Sequence, residues 1–415
     1  MNRRETKVGL LACFAFAMAF PASISGALLI APLIAFCAIL ITPVYPLSWR
    51  SIEWASPVIP GMLFLLWACL SFLWSPHPDA EQIPKTLLGV PLYALFAWRV
   101  GALEGPWRAR AEACLIFFVL AAGCFFLFET LTNAQGTVSF KIGFEGADTN
   151  DMRDIIYKAY RSLGHGVVPL VLMAGPVAAL LWMRGHKGLA ILIMALTASA
   201  ALSYGFAINA VAMFLAGIAV ALASLRPRLA LPVMFTLLAG FIVVMPVFLP
   251  SMYALLPEEF IARLPDSWAW RLEIWAFASE RITENPWVGY GLDASRQIGE
   301  GILLAGIEWD ALPLHPHNAA LHVWLETGLV GVILLAATLL ATGEMLARLE
   351  TISRVQILAL VWVVIAYACL LVFSYGVWQE WHQASLAMAI AVVRFIKPET
   401  PARQPAAQIA SEKVA

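Results

Sequence analysis

The sequence predicts an all-α integral membrane protein with about twelve transmembrane helices and a long loop between the ninth and the tenth. The composition supports this fold class, because 61% of the residues are hydrophobic, only 13% are charged, and the mean hydropathy is +0.80. Soluble domains carry about 25% charged residues. The net charge is -1 and the chain has no basic patch, which excludes a nucleic-acid-binding protein.

Each predicted helix is an apolar stretch of the length that crosses a bilayer, which is about 20 residues. The stretches lie at about 7–22, 26–46, 58–75, 86–103, 111–131, 164–183, 187–204, 206–224, 228–249, 319–342, 355–373 and 381–396. The first resembles a cleaved signal peptide, but a second apolar stretch follows at once, so we interpret it as a retained helix. Residues 1–396 therefore form one predicted membrane domain, and the tail 397–415 is predicted to be disordered and cytoplasmic.

The basic residues predict the orientation of these helices. An even number of spans places both termini on one side, and short loops rich in Lys and Arg stay in the cytoplasm. Most of the 26 Lys and Arg residues fall in the termini and in short connections on the side of the N-terminus. We therefore expect cytoplasmic termini and two long outward-facing segments, at about 132–163 and 250–318. Long connections in compact proteins are usually functional.

Cysteines and acidic residues give no sign of a metal site. The six cysteines lie in or beside the apolar stretches, without metal-ligand spacing, and are interpreted as packing residues. Asp148, Asp151 and Asp154 occur at three-residue spacing but lack a companion motif. We interpret them as a solvated acidic face and expect no metal cofactor.

The segment 250–318 contains a predicted amphipathic helix that begins after Pro265 and ends before Pro286. One face of this helix carries Arg271, Trp275, Ala278 and Ile282. Several tryptophans lie in the same segment, and aromatic rings favour the headgroup level of a bilayer. We therefore expect this helix to lie at the membrane surface.

The most informative stretch is 315–331, which reads HPHNAALHVWLETGLVG. Pro316 disfavours helix at His315, so the next helix is predicted to begin at His317 or Asn318. Helical spacing then aligns one stripe of residues: His317, Leu321, Trp324, Gly328 and Gly331. The glycines are expected to let another helix approach closely. Glu326 falls about half a turn away from His317 and is not expected to be its partner.

This stretch resembles the signature of the O-antigen ligase and polymerase family, integral membrane enzymes that transfer glycans from an undecaprenyl pyrophosphate carrier. WRLEIW at 270–275 and NPWVGYGLD at 285–293 resemble the arginine, tryptophan and Pro-x-x-Gly-x-Gly segment of the family. Weaker matches are SFLWSP at 71–76, YRSLG at 160–164 and YGVWQEW at 375–381. The resemblance spans roughly residues 60 to 385.

The resemblance implies roles for individual residues. It places the catalytic general base on the histidine immediately before Asn318, which is His317, and histidine titrates near neutral pH. It places Arg271 on the donor pyrophosphate, where a guanidinium binds phosphate oxygens bidentately. Arg161 is a candidate second pyrophosphate ligand. Each residue also has a structural alternative. His317 could cap the helix, Arg271 could reach the lipid headgroups, and Arg161 could be an ordinary basic residue that flanks a membrane span.

The neighbouring residues have supporting roles on this interpretation. His315 is expected to orient the base or bind substrate, with Asn318 and Trp275 also supporting the site, whereas His322 is expected to pack.

The chain departs from the family at the start of the eighth predicted span, where many relatives carry a Ser-Arg pair. Residues 203–210 read SYGFAINA and contain no arginine. Asn209 offers a neutral hydrogen bond or a structural one there. Which residue replaces the missing arginine is open.

The resemblance implies a metal-independent glycosyltransferase of the bacterial inner membrane, with its active site on the periplasmic side and no cofactor. Its partners would be an undecaprenyl-pyrophosphate-linked glycan, a lipid A-core or other glycan acceptor, and membrane lipids. An O-antigen or exopolysaccharide polymerase of the same family is the alternative, because the signatures are shared. A polysaccharide transporter or flippase is disfavoured, because transporters place ionisable residues at the bilayer midplane.

Overall fold

The structure is a computed structural model that describes residues 3–44, 56–261, 263–304 and 307–396. The predicted tail 397–415 lies outside these residues. The helices are α1 (Arg3–Ile24), α2 (Ile30–Ile41), α3 (Val58–Leu70), α4 (Gln82–Pro84), α5 (Val90–Val100), α6 (Gly105–Leu131), α7 (Gln135–Gly143), α8 (Met152–Met183), α9 (Lys187–Leu202), α10 (Ala207–Leu225), α11 (Pro227–Ala254), α12 (Glu258–Ile261), α13 (Asp266–Glu284), α14 (Ala319–Arg348), α15 (Arg354–Phe373) and α16 (Glu380–Phe395).

Short irregular turns and one hairpin complete these elements. The 3₁₀ turns are Thr42–Val44, Ser71–Trp74 and Ala294–Arg296, and a π turn, Lys85–Gly89, joins α4 to α5. Strands β1 (Gly301–Leu304) and β2 (Ile307–Asp310) pair antiparallel, with Gly301 opposite Asp310. The all-α prediction missed this hairpin, because two four-residue strands are too short to produce a clear alternating pattern.

Each predicted transmembrane stretch overlaps a helix of the structure. In the described part of the chain, 7 helices are long and apolar enough to cross a membrane: α1, α6, α8, α10, α11, α14 and α15. Shorter apolar helical stretches lie at Ile30–Ile41, Val58–Trp74 and Lys187–Leu202. The chain is therefore a helical, multi-pass type of protein, and a total of twelve crossings stays a prediction.

The two segments predicted as long loops contain regular structure. Segment 132–163 holds α7 and the first turns of α8, which begins at Met152, well before the predicted start of that span. Arg161 therefore lies within a helix, and its placement in a loop was wrong. Segment 250–318 holds the end of α11, then α12, α13 and the hairpin. Hydropathy marks where a helix enters lipid, and polar turns can extend that helix beyond this point.

The start of α8 also explains the spaced aspartates. The Asp151 carboxylate accepts a hydrogen bond from the Asp154 N–H (3.0 Å) and so caps the helix. Asp148 accepts from the Asn150 N–H (3.0 Å) in the preceding turn. Asp154 pairs with Lys158 one turn later, at 2.6 Å. These local contacts support the interpretation of the three aspartates as a solvated face.

Two packed regions meet at the candidate site. The larger apolar core joins α1, α2, α5, α6, α8, α9, α10, the first turns of α11, α15 and α16. A second core joins α11, α13 and the first turns of α14. The predicted amphipathic helix has the predicted bounds, and Trp275, Ala278 and Ile282 on its predicted face are buried in this second core. The α13 helix is therefore held against α11 and α14 by its apolar face.

The α14 helix is broken at Gly328, where φ is +60° and ψ is -167°. The loop 286–291 docks into the break. Four backbone hydrogen bonds join the loop to the helix: Tyr290 N–H to the Leu325 carbonyl (2.8 Å), Gly291 N–H to the Glu326 carbonyl (2.9 Å), Leu329 N–H to the Pro286 carbonyl (2.8 Å) and Val330 N–H to the Trp287 carbonyl (3.3 Å). The loop thus provides the partners that the break removes from the helix.

The expected role of the glycine stripe was therefore wrong in one respect. A Cβ at Gly328 would lie 2.5 Å from the Trp287 carbonyl group, so the close neighbour of this glycine is loop backbone rather than another helix. At Gly331, a Cβ would overlap the side chain of Thr327 in the same helix and lie 3.4 Å from Trp67. Helical spacing cannot reveal a break within the helix, because it assumes regular geometry throughout.

Replacing Gly328 by alanine should destabilise the protein. Its positive φ and extended ψ form a conformation that only glycine adopts readily, and strain of this kind costs about 1–3 kcal/mol. The loop backbone beside the missing Cβ cannot move without losing the four hydrogen bonds. We expect a lower midpoint of thermal unfolding for Gly328→Ala protein purified in detergent.

Gly240→Ala is the matched control for this measurement. Gly240 lies within α11, where a Cβ would meet nothing within 4 Å. Alanine in a helix interior is favoured over glycine, so the midpoint of this variant should be unchanged or slightly raised. Equal midpoints for the two variants would contradict the structural role of the break.

Candidate active site

The histidine segment leads directly into α14. The Asn318 side-chain oxygen accepts hydrogen bonds from the N–H groups of Ala320 (3.0 Å) and Leu321 (3.2 Å), so Asn318 is the N-cap. His317 therefore lies outside the helix, with a φ of +52°, and its placement on the helical stripe was wrong. The left-handed conformation at His317 lets its N–H donate to Nδ1 of His315 (3.2 Å).

The His317 ring is held by a backbone carbonyl at the end of α15. Its Nδ1 lies 2.8 Å from the Ser374 carbonyl oxygen. A carbonyl only accepts, so Nδ1 must carry the proton and donate it. In the neutral ring, Nε2 then has a lone pair and no proton. The structure therefore fixes the tautomer that can accept a proton at Nε2.

Arg271 is held by the adjacent carbonyl. Its Nε donates to the Phe373 carbonyl (3.1 Å), one residue before the carbonyl that binds His317. Its Nη1 donates to the Ser267 carbonyl (2.7 Å), and the guanidinium lies over the Trp268 ring at 5.5 Å. These contacts leave further N–H groups of the guanidinium for a ligand. The C-terminal end of α15 thus holds Arg271 and His317 side by side.

Burial sets the protonation state of the two histidines before α14. Burial is the main cause that lowers the pKa of His317 to about 4. The bond to Ser374 opposes this shift, and the charge of Arg271 and the proximity of the His322 imidazole add to it. The pKa of His315 is lowered well below its usual value, mainly by burial. Burial likewise lowers the pKa of Arg271, which still keeps its charge at neutral pH. Near pH 7 both imidazoles are neutral beside a cation.

His322 has a structural role that goes beyond packing. Its Nδ1 accepts from the Val377 N–H (3.2 Å), and its Nε2 lies 3.1 Å from a Glu326 carboxylate oxygen. Because Nδ1 accepts, Nε2 carries the proton and donates it to the carboxylate. His322 and Glu326 are four residues apart on α14, and this spacing alone could have predicted the pair.

The buried Glu326 carboxylate joins three parts of the chain. Besides His322, it accepts hydrogen bonds from the Asp293 N–H (2.9 Å), the Ser295 N–H (3.2 Å), the Ser295 hydroxyl (2.5 Å) and the Trp378 indole N–H (2.5 Å). Glu326 has no hydrogen bond to His317 among the described residues, as the sequence predicted. A buried charge needs this number of donors to remain ionised without a large penalty.

The structure brings together four of the five matched segments around the histidine stretch. Segment 71–76 braces the glycine loop, because the Trp74 indole donates to the Gly289 carbonyl (3.2 Å) and the Ser75 hydroxyl to the Leu292 carbonyl (2.7 Å). Segment 375–381 supplies the partners of His322 and Glu326. Segment 270–275 supplies Arg271, and also Trp275, whose indole N–H donates to the Pro316 carbonyl (3.0 Å). Trp275 thereby supports the histidine segment.

The remaining segment, 160–164, is only indirectly connected to the site. Arg161 is exposed on α8 and, among the described residues, has no hydrogen bond or ion pair. One turn later, His165 stacks on Trp381 and contacts the edge of Tyr375, with centroid distances of 5.6 Å in both cases. Tyr375 follows the residue that binds His317. Asn209, in the stretch without the expected arginine, is buried and donates to the Gly164 carbonyl (3.0 Å), which is a structural contact.

The sequence reasoning also missed Arg296. It follows the glycine loop in the 3₁₀ turn Ala294–Arg296, and its Nε donates to the Asp293 carboxylate (3.0 Å). Its positive charge is close enough to contribute to the lowered pKa of His315. No sequence motif pointed to it, because its position beside the histidines depends on how the loop folds back over α14.

Comparisons with known proteins agree with the matched segments. A family model described as O-antigen ligase matches residues 188–336. The chain is 27% identical over 363 residues to a Rickettsia conorii protein named "Putative polysaccharide ligase", covering 81% of this chain and 79% of that protein. A Rickettsia felis protein with the same name is 30% identical over 361 residues, covering 81% and 80%. An O-antigen ligase of Pseudomonas aeruginosa is 37% identical over 87 residues, covering 20% and 19%. No solved structure matches significantly.

Replacing Glu326 by glutamine should destabilise the protein. The amide presents an NH₂ group where the carboxylate accepts from N–H and O–H donors, so at least one buried donor loses its acceptor. Such a loss costs about 1–3 kcal/mol. We expect a lower midpoint of thermal unfolding for purified Glu326→Gln protein.

Glu344→Gln, at an exposed position of the same helix, is the matched control and should unfold like the unchanged protein. Identical behaviour of both variants would show that the Glu326 network does not stabilise the fold.

Proposed function

The chain belongs to the O-antigen ligase family, and we propose that it transfers a glycan from undecaprenyl pyrophosphate to a hydroxyl group of lipid A-core. The reaction takes place on the periplasmic side of the bacterial inner membrane. The observation that carries this proposal is the anchoring of His317 and Arg271 on the adjacent carbonyls of Ser374 and Phe373. This arrangement places a proton acceptor beside a cation, which is what such a transfer needs.

In the proposed reaction, Nε2 of His317 takes the proton of the acceptor hydroxyl. The acceptor oxygen attacks the anomeric carbon of the donor glycan and forms the new glycosidic bond. The bond between that carbon and the pyrophosphate oxygen breaks, and undecaprenyl pyrophosphate leaves with the bonding electrons. Arg271 stabilises the charge that develops on the leaving group. The bond from Nδ1 to the Ser374 carbonyl stabilises the positive charge that the ring acquires.

Arginine makes a metal ion unnecessary in this scheme. A guanidinium keeps its charge when buried and binds phosphate oxygens directly. We therefore propose a metal-independent reaction without a cofactor. Transfer by the purified protein should persist in EDTA, and activity that EDTA removes and magnesium or manganese restores would refute this part of the proposal.

The alternative is an O-antigen or exopolysaccharide polymerase, which would use the same site with another lipid-linked glycan as acceptor. The lipopolysaccharide of a deletion strain distinguishes the two functions. Loss of all capping glycan supports the ligase, and a cap of a single repeat supports the polymerase. A transporter or flippase is disfavoured, because transporters bind substrate near the bilayer midplane. Arg271 and His317 instead lie in the segment that connects α11 to α14.

Arg161 remains a candidate second ligand of the donor pyrophosphate. It is exposed on α8 and is one turn from His165, which contacts the segment that holds His317. Because it lacks a protein partner among the described residues, its guanidinium is available to an anion. If this role is correct, Arg161→Gln should raise the KM for the donor and leave the KM for the acceptor unchanged.

The proposed orientation places both termini in the cytoplasm and the active site in the periplasm. In a variant without the native cysteines, Gln297→Cys should react with a membrane-impermeant thiol reagent in cells whose outer membrane alone is permeable. Gly188→Cys, at the start of α9, should react only after the inner membrane is opened. Both positions are exposed in the structure. The opposite labelling pattern would refute the orientation.

His317→Ala should abolish glycan transfer while the protein still folds and inserts. A general base contributes about 10²- to 10⁴-fold to the rate. Arg271→Lys should recover little activity relative to Arg271→Ala, because lysine keeps the charge but lacks the planar set of donors that reaches both a carbonyl and a phosphate. The measurement is transfer of lipid-linked glycan to acceptor by purified variants, each normalised to its folded amount.

The pH dependence provides a second test of the base. His317 must be neutral to accept a proton, and its pKa in the free protein is lowered to about 4. From neutral pH downward, kcat/KM should stay constant and fall only as the pH approaches that value. A decline centred near pH 6.5, the usual pKa of histidine, would contradict the buried neutral base. Near-normal transfer by well-folded His317→Ala would refute the base assignment altogether.

A further inference from the structure

A hydrogen-bond donor of a largely buried histidine lies beside the candidate base and lacks a partner among the described residues. His315 is more than nine-tenths buried, with 8% of its surface exposed. Its Nδ1 accepts from the His317 N–H (3.2 Å), so in the neutral ring the proton is on Nε2. Among the described residues, Nε2 of His315 has no hydrogen-bond partner. Because Nε2 is not one of the fully enclosed polar atoms of the described residues, it reaches accessible space where a bound ligand can supply an acceptor.

Arg296 is near enough to His315 for its charge to contribute to the lowered pKa of that imidazole. The contacts that place it run from its Nε to Asp293 (3.0 Å), from the Asp293 N–H to Glu326 (2.9 Å), and from Glu326 to His322 (3.1 Å). The His322 ring in turn stacks on His315, with a centroid distance of 5.8 Å. Arg296 thus belongs to the same bonded network as the histidines.

Arg296 also has donors to spare. Only its Nε has a protein partner among the described residues, and its side chain is 44% exposed. The terminal N–H groups of the guanidinium are therefore available to a ligand. The contact to Asp293 orients the guanidinium and uses only the Nε donor, so the terminal N–H groups keep their capacity to donate hydrogen bonds.

We propose that Arg296 and the Nε2–H group of His315 form a second oxyanion subsite, separate from Arg271, that binds a phosphate-type group. This inference rests on the proposed function, because it concerns a substrate of the same site. The His315 and His317 rings lie 4.5 Å apart between centroids. The His315 side of the second subsite is thus adjacent to the base.

The chemistry of the two groups suits an oxyanion. Arg296 supplies a permanent positive charge, and His315 supplies a neutral donor whose orientation is fixed by the His317 N–H. Burial is the main cause that lowers the pKa of His315, and His317, His322 and Arg296 add to the shift. His315 is therefore neutral at physiological pH and donates without competing for the proton that His317 takes. The oxyanion can be the second phosphate of the donor pyrophosphate or an anionic group of the acceptor glycan.

Equilibrium binding to the purified full-length chain tests the subsite without requiring turnover. The probe is inorganic pyrophosphate, measured by calorimetry in detergent, with inorganic phosphate for comparison. Arg296→Gln removes the guanidinium. Arg281→Gln is the matched control, since it removes the same charge from the same outer segment at a position paired with Glu284. The KM values for donor and acceptor are measured on the same proteins.

Two variants separate the roles of the two His315 nitrogens. His315→Asn keeps a polar group near the position of Nδ1, where it can accept from the His317 N–H, but lacks a donor at the position of Nε2. His315→Gln extends its amide to the position of Nε2. Gln should therefore retain more pyrophosphate or substrate binding than Asn. Thermal unfolding of each variant shows whether it is folded.

We expect Arg296→Gln to weaken one binding event by about tenfold to hundredfold, as for a charge-assisted hydrogen bond. Weaker pyrophosphate binding with a raised donor KM identifies the second phosphate of the donor. Unchanged pyrophosphate binding with a raised acceptor KM identifies an anionic acceptor group. If Arg296→Gln matches Arg281→Gln in all three measurements, the subsite is refuted. Transfer by His317→Ala tests the base separately, so the two proposals can fail independently.

Discussion

The insertion of the loop 286–291 into the break of α14 is the constraint on which the rest of the site depends. A helix interrupted at Gly328 leaves backbone carbonyl and N–H groups without partners, and such groups cannot remain unpaired in an apolar environment. The loop satisfies them with its own backbone, and the Trp67 indole N–H adds a hydrogen bond to the Thr327 carbonyl (2.9 Å). The position of the outer segment is thereby fixed relative to the first turns of α14.

Two further features follow from this docking. The turn after the loop delivers the Asp293 and Ser295 donors to Glu326, which in turn holds His322. The same docking keeps α13 against α14, so that Trp275 reaches the Pro316 carbonyl before the helix begins. The C-terminal end of α15 completes the arrangement with two consecutive carbonyls, one for Arg271 and one for His317. Among the residues that the structure describes, no carboxylate holds either side chain. Both are oriented by backbone oxygen atoms, which leave the arginine charge available to an anion.

Several parts of this arrangement were predictable because they depend on local chemistry. The bounds of α13 follow from the residues at its ends and from an apolar face with helical periodicity. The start of α14 near His317 or Asn318 follows from Pro316. Glu326 has no hydrogen bond to His317 among the described residues, as expected, although the spacing argument wrongly counted His317 as part of the helix. The interpretation of the aspartates around the start of α8 as a solvated face agrees with their local contacts.

Other parts depend on contacts between residues that are far apart in the chain. The break at Gly328 was not predicted, because a glycine in a helical pattern is compatible with regular helix until a loop competes for its backbone. Arg161 was placed in a loop, because polar residues of a helix that extends beyond the lipid resemble a connection. The positions of His322 and Arg296 depend on Glu326, whose partners come from segments about thirty and fifty residues away.

The sequence by itself determined the membrane class, the apolar helices, the amphipathic α13 and the residue types of the site, because hydrophobic periodicity and capping act over a few residues. Only the tertiary structure decided which nitrogen of each histidine carries a proton, which carbonyls orient Arg271 and His317, and which charges lie beside them. The physical reason is that a tautomer and a pKa are set by the particular donor, acceptor and degree of burial that each ring meets after distant segments have packed together.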